Sequence, residues 1–122
     1  MAKRQNMIAI VDDDPSMLRA TADLLDAQGF ATRGFSSAEE FLIRGVAAQV
    51  DCLLLDIHLG GMSGFELRNR LKLSGSTLPV IFITALDDEE TRGQAHEAGC
   101  VALLRKPYSA RLLMDAIRKA VP

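Results

Sequence analysis

Residues 51–66 read DCLLLDIHLGGMSGFE, and the run Cys52–Leu55 closed by Asp56 decides the fold. Four consecutive apolar residues with no polar alternation describe a strand covered on both faces, and that is the habit of a parallel sheet with helices packed on either side. The Gly60-Gly61 pair then breaks the chain. Ser63-x-x-Glu66 has the form of a helix-capping box, with Phe65, Leu67 and Leu71 as the apolar face of the helix that follows.

Working outward from that strand, the same alternation repeats. Upstream, Met7–Val11 (MIAIV) is a short strand, and Asp14-Pro15 opens a helix whose apolar period uses Met17, Leu18, Thr21, Leu24 and Leu25 and runs to about Gln28 before Gly29. Ala31–Phe35 is a weaker strand. Ser36 or Ser37, with Glu39 or Glu40 three residues on, caps a short helix with Ala38, Phe41 and Leu42 inward. Downstream, Pro79–Thr84 (PVIFIT) is the strongest strand. Asp87–Ala98 is a helix with an acidic first turn, Val101–Leu104 a fifth strand, and Ser109 caps a last helix with Leu112, Leu113, Ala116, Ile117 and Val121 as its buried stripe. Five strands alternating with five helices imply an α/β fold: a doubly wound, five-stranded parallel sheet in the order 2-1-3-4-5. The crossovers are expected to be right-handed, and because the strands are parallel every carboxyl end lies on one edge, where ligands bind.

The bulk properties narrow the function classes. A chain of 122 residues fits one domain, 1–122, with its own core. A net charge of −2 gives no electrostatic footprint for nucleic acid or an anionic membrane, so any action on DNA would pass through another domain or a partner. Lys3 and Arg4 precede an apolar run too short for a signal peptide, and no run approaches the roughly 18 residues that span a bilayer. Cys52 and Cys100 form neither a disulfide framework nor a zinc site. They read as two buried free thiols in a reducing compartment, the cytoplasm.

The chemistry lies at the strand ends. Strand one ends in Asp12, Asp13 and Asp14, strand three in Asp56, strand four in Thr84, and strand five in Arg105 and Lys106. The topology sets Asp13 and Asp56 on neighbouring strands, where two like charges about 4 Å apart repel by roughly 4 kcal/mol at an effective dielectric of 20. Such a cluster calls for a cation, and oxygen ligands without His or Cys favour Mg²⁺. A carboxylate can be the nucleophile in phosphoryl transfer, with Lys106 as a point charge for a phosphate oxygen and Thr84 as a hydroxyl donor. Asp14 reads as a helix cap. The side chains of His58 and His96 read as solvated.

Four segments in order, IVDDDPS, LLLDIHLGGMSGFEL, PVIFITA and LLRKPY, resemble the receiver domain of two-component response regulators, the CheY-like (flavodoxin-like) fold. VDDDPSMLRATADLL and FSSAEEFL resemble the FixJ-type subgroup, whose receivers usually precede a helix-turn-helix DNA-binding domain. The resemblance implies that Asp56 is the phosphoacceptor and that Asp13 and Asp56 ligate Mg²⁺ directly. Asp12 would act mainly through metal-bound water, and the His58 backbone carbonyl would complete the metal site. It implies that Thr84 is the switch hydroxyl, that the Ala85 amide lies near the phosphoryl group, that Lys106 pairs with the phosphate, and that Lys106–Pro107 is cis. The implied partners are a histidine kinase or phosphotransfer protein, and the output would be a changed contact surface around helix 4, strand 5 and helix 5, with a phosphorylation-dependent dimer as one form of it. The domain would catalyse only its own phosphorylation and dephosphorylation.

The sequence departs from the family pattern at three positions. Gly60 stands where many members have proline, Leu103 where an aromatic residue often turns inward on activation, and His58 places an imidazole at the mouth of the site. Two other readings stay open. One is a haloacid-dehalogenase-like phosphatase, for which Asp12-x-Asp14 has the right spacing but only Asp115 follows the lysine. The other is a pseudo-receiver that binds partners without phosphorylation. The helix Asp87–Ala98 has almost nothing large to bury and is expected to be the mobile element.

Overall fold

Every residue of Cys52–Asp56 is buried, because the pleat sends Cys52 and Leu54 to one face and Leu53 and Leu55 to the other and both faces are covered. This strand is the centre of the computed structural model, which describes residues 5–45 and 49–121; Lys3 and Arg4 lie outside the described residues. The elements follow in the order β1 (Met7–Val11), α1 (Pro15–Ala27), β2 (Ala31–Phe35), α2 (Ala38–Glu40) with a π-helical turn over Phe41–Gly45, and β3 (Cys52–Asp56). Then come α3 (Gly64–Leu73), β4 (Val80–Thr84), α4 (Glu89–Ala98), β5 (Ala102–Arg105) and α5 (Ala110–Ala120). The sheet is parallel throughout, in the order β2-β1-β3-β4-β5.

Two half-cores sandwich the sheet. On one side Ile8, Ile10, Leu54, Ile81 and Ile83 pack under α1 and α5 through Leu25, Leu113 and Ile117. On the other, Ala9, Val11, Leu53, Leu55 and Phe82 pack under α2, α3 and α4 through Phe41, Leu67, Leu71 and Ala95. Each fully buried Leu or Ile contributes about 1.5–3 kcal/mol. Edge-to-face pairs of Phe35 with Phe41 and of Phe65 with Phe82 close the second half-core. No helix among the described residues is long and apolar enough to cross a membrane.

The caps are those the sequence implies. Asp14 accepts from the amides of Ser16 and Met17, Ser37 from Glu40, Ser63 from Glu66 and Ser109 from Leu112. Of the two serines before α2, Ser37 is the cap, while the Ser36 hydroxyl donates to the Glu40 carboxylate. Four expectations need correction. Helix α4 begins at Glu89 and not Asp87, because Asp88 is the cap, accepting from the Thr91 amide at 2.7 Å. Strand β5 sits one residue later than expected. Leu112 is 54% exposed and Met114 is buried in its place, while Leu113, Ala116, Ile117 and Val121 are buried as expected. Cys52 is fully buried as expected, but Cys100 is only half-buried; both are free thiols.

Candidate phosphoacceptor and metal site

The register of the sheet brings the polar strand ends together. Val11 lies opposite Leu55, so Asp12 and Asp13 leave β1 beside Asp56 at the end of β3. Thr84 ends β4 opposite Arg105, which puts Lys106 one residue past the edge of the sheet. The Lys106 amide donates to the Thr84 carbonyl at 2.7 Å, and the Lys106–Pro107 bond is cis.

Carboxylate oxygens of Asp12, Asp13 and Asp56 all lie within 4.8 Å of one another. The Lys106 ammonium bridges two of them, at 2.9 Å from Asp56 Oδ2 and 3.1 Å from Asp12 Oδ2. Three of the other oxygens take backbone donors. The His58 amide donates to Asp56 Oδ1 at 3.0 Å, and the Asp14 amide to Asp12 Oδ1 at 2.9 Å. The Gly60 amide donates to Asp13 Oδ2 at 3.4 Å. Asp12 and Asp56 are buried and Asp13 is exposed, so the cluster opens to solvent on the Asp13 side.

Burial pushes the Asp56 carboxyl above its usual range, against the hydrogen bonds from Lys106 and His58 that favour its ionised form; the Asp12 charge adds to the rise. Burial also works to lower the Lys106 ammonium, but its bonds to Asp56 and Asp12 outweigh this and hold it above the ordinary lysine value. The lysine stays charged, and one ammonium does not fully offset the cost of burying the Asp56 carboxylate. An all-oxygen donor set of this size suits a hard divalent ion such as Mg²⁺.

The remaining residues of interest fall nearby. Thr84 is buried, and its hydroxyl accepts from the Leu86 amide at 3.0 Å; Ala85 follows it, exposed, at the mouth of the site. The His58 side chain is exposed, and so is His96. Asp14 is spent on capping α1, which removes it from the Asp12-x-Asp14 pair that a haloacid-dehalogenase-like site would need.

Sequence reasoning missed three contributors. Gly64 lets the first turn of α3 press on the end of β3: a Cβ there would stand 2.5 Å from the Asp56 carbonyl oxygen. Tyr108 joins its hydroxyl to that of Thr21 at 2.8 Å, tying α1 to the loop that carries Lys106. Glu39 on α2 accepts from the Met62 amide at 3.0 Å. Only Gly64 had a sequence signal, a glycine placed directly after a helix cap.

A doubly wound sheet with an acidic triad, a bridging lysine and a threonine at its carboxyl edge defines a class, and comparison with known proteins agrees. Residues 8–118 match the family model for the response regulator receiver domain, and the chain belongs to that family as a two-component signal receiver. Among relatives, it is 36% identical to the response regulator protein TodT of Pseudomonas putida over 99% of this chain and 53% of that protein. It is 30% identical to the transcriptional regulatory protein FixJ of Azorhizobium caulinodans over 93% of this chain and 54% of that protein. The chain thus spans about half the length of the curated relatives it matches. Among solved structures, the N-terminal part of FixJ superposes with a TM-score of 0.89 at 30% identity, over 97% of this chain and 94% of that one. A receiver protein from Burkholderia phymatum gives 0.84 at 36% identity, over 97% and 98%.

Proposed function

We propose that Asp56 accepts a phosphoryl group from a histidine kinase or phosphotransfer protein, with Mg²⁺ held by Asp12, Asp13, Asp56 and the His58 backbone carbonyl. The observation that carries this reading is the buried Asp56 carboxylate, bridged to Asp12 by Lys106 and flanked by Asp13. In the transfer, an Asp56 oxygen forms a bond to phosphorus as the donor's bond to phosphorus breaks, and the leaving group keeps that electron pair. Bound Mg²⁺ supplies neutralisation of the equatorial phosphoryl oxygens. Lys106 is already in place to follow one of those oxygens. The Thr84 hydroxyl and the Ala85 amide, at the end of the neighbouring strand, are the donors for another.

The output we assign is a changed contact surface across α4, β5 and α5, with a phosphorylation-dependent dimer as its form. Leu112 on α5 and the weakly anchored α4 support that choice. We read residues 1–122 as one receiver domain acting in the cytoplasm, where Cys52 and Cys100 stay reduced. Its only catalysis would be its own phosphorylation and dephosphorylation.

The test is incubation with acetyl phosphate and Mg²⁺, read by intact mass. Wild type is expected to gain one phosphoryl group, while Asp56→Asn gains none and chelator stops the reaction. An unmodified wild type would leave the pseudo-receiver reading. Continuous release of phosphate from a generic ester, without an adduct, would favour a phosphatase.

A further inference from the structure

The loop after the phosphoacceptor carries two glycines, Gly60 and Gly61, and so has little intrinsic stiffness. It nevertheless delivers backbone donors to the site: the His58 amide to Asp56 and the Gly60 amide to Asp13. Beyond Gly61 the Met62 amide is caught by Oε2 of Glu39, a residue 23 positions away on α2. The approach is close. A Cβ on Gly61 would stand 2.7 Å from that same oxygen, and Gly61 has φ +82°, a conformation that favours glycine. Glu39 is itself fixed at its base, because the Ser37 hydroxyl caps the short helix by accepting from the Glu40 amide, and Ala38 and Phe41 are buried. The Met62 hydrogen bond holds the Glu39 carboxyl below its usual range, as expected for an acceptor used in its ionised form.

We propose that Glu39 is a positioning residue for the phosphoacceptor site, holding the glycine loop through the Met62 amide in the conformation that lays Gly60 on Asp13. The proposal rests on the reading of Asp13 as a metal ligand and Asp56 as the acceptor. Glu39 touches neither reacting group. Its effect is to lower the ordering cost of a mobile loop, and it links the position of α2 to the readiness of the site.

The test compares wild type, Glu39→Ala, Glu39→Gln and Gly61→Ala. In metal-free protein, the Gly60 amide as well as the Met62 amide is expected to exchange faster and shift in Glu39→Ala. With Mg²⁺, calorimetry is expected to show weaker binding, and acetyl phosphate to load Asp56 more slowly, each by about three- to tenfold. That is well under the roughly 100-fold an ångström of misplacement can cost. Glu39→Gln keeps an acceptor oxygen and is expected to recover most of both effects. Gly61→Ala is expected to break the same contact from the loop side, so that combining it with Glu39→Ala adds less than the sum. A Glu39→Ala protein that loses thermal stability while keeping its Gly60 amide signal, Mg²⁺ affinity and loading rate would overturn the proposal. A wild type that takes no phosphoryl group overturns the acceptor reading instead, and the Gly60 signal and Mg²⁺ titration still decide Glu39.

Discussion

At the scale of single residues, the pair Tyr108 and Thr21 sets the firmest expectation. Thr21 is 4% exposed, and its hydroxyl has the Tyr108 phenol as partner. Tyr108→Phe strands that hydroxyl, although a helical threonine can turn back to a carbonyl one turn earlier. The expected loss is therefore about 1 kcal/mol, or roughly 3–6 °C in Tm, measured at neutral pH. Burial pushes the Tyr108 phenol above its ordinary value, with the Thr21 bond acting against it. The folded state thus holds this proton more tightly than the unfolded chain. The resulting stability is fully present below about pH 10 and is lost as pH rises through the higher folded value. Wild type and Tyr108→Phe should therefore converge in stability above pH 10. The chain has one Tyr and no Trp, so phenolate absorbance follows Tyr108 alone; a native midpoint at or below 10 would contradict the argument. The two cysteines separate for a similar reason. Burial drives the Cys52 thiol up to about 12, whereas Arg68 tempers the rise at half-buried Cys100. Because the thiolate is the reactive form, a disulfide reagent at pH 8 should label Cys100 first and reach Cys52 only after denaturant. Two thiols reacting equally fast in native protein would count against the burial of Cys52.

At the scale of elements, α4 and α5 are opposites of nearly equal length. Helix α5 buries Leu113, Met114, Ala116 and Ile117, while α4 buries only Thr91 and Ala95. An element with so little apolar surface inside should open at lower free energy, and its amides should exchange about tenfold faster or more than those of α5. The route from the site to α4 is also visible. The Thr84 hydroxyl holds the Leu86 amide, so a Thr84 that turned to a phosphoryl oxygen would release the start of the loop before α4. Hydrogen exchange with Mg²⁺ and beryllofluoride should therefore change across residues 86–104, and an unchanged pattern there would uncouple α4 from the site. The contrast between the two helices was partly legible in the sequence, since a helix written EETRGQAHEA has nothing large to bury. The strands, the capping serines and Asp14, and the polar strand ends were legible because each is a local pattern, whereas the Asp88 cap was hidden in a run of four acids. The burial of Met114 in place of Leu112 on α5 was not legible, since both flank the same stripe and only packing chooses between them. Nor were the Glu39–Met62 and Thr21–Tyr108 contacts, which join residues 23 and 87 positions apart through the tertiary fold.

At the scale of the whole molecule, the parallel sheet gathers charge at one edge as a consequence of its topology. Strands buried on both faces have no room for polar groups along their length, so the acids collect where the strands end. There, one ammonium faces three carboxylates, two of them buried. Metal-free, this edge should be the least favourable part of the fold, and a divalent ion binding the native state alone should stabilise the entire domain through linkage. At a free Mg²⁺ concentration 100 times the dissociation constant the gain is about 2.7 kcal/mol, on the order of 10 °C in Tm. Asp13 gives a clean control, because its side chain is exposed and carries none of the core. Asp13→Asn should leave the metal-free Tm within a degree or two of wild type while removing most of the Mg²⁺-dependent rise. A Tm that rises equally in both proteins would place the bound ion elsewhere. A wild-type Tm indifferent to Mg²⁺ would separate the acidic edge from metal binding, and the proposed acceptor chemistry would then lack its main source of charge neutralisation.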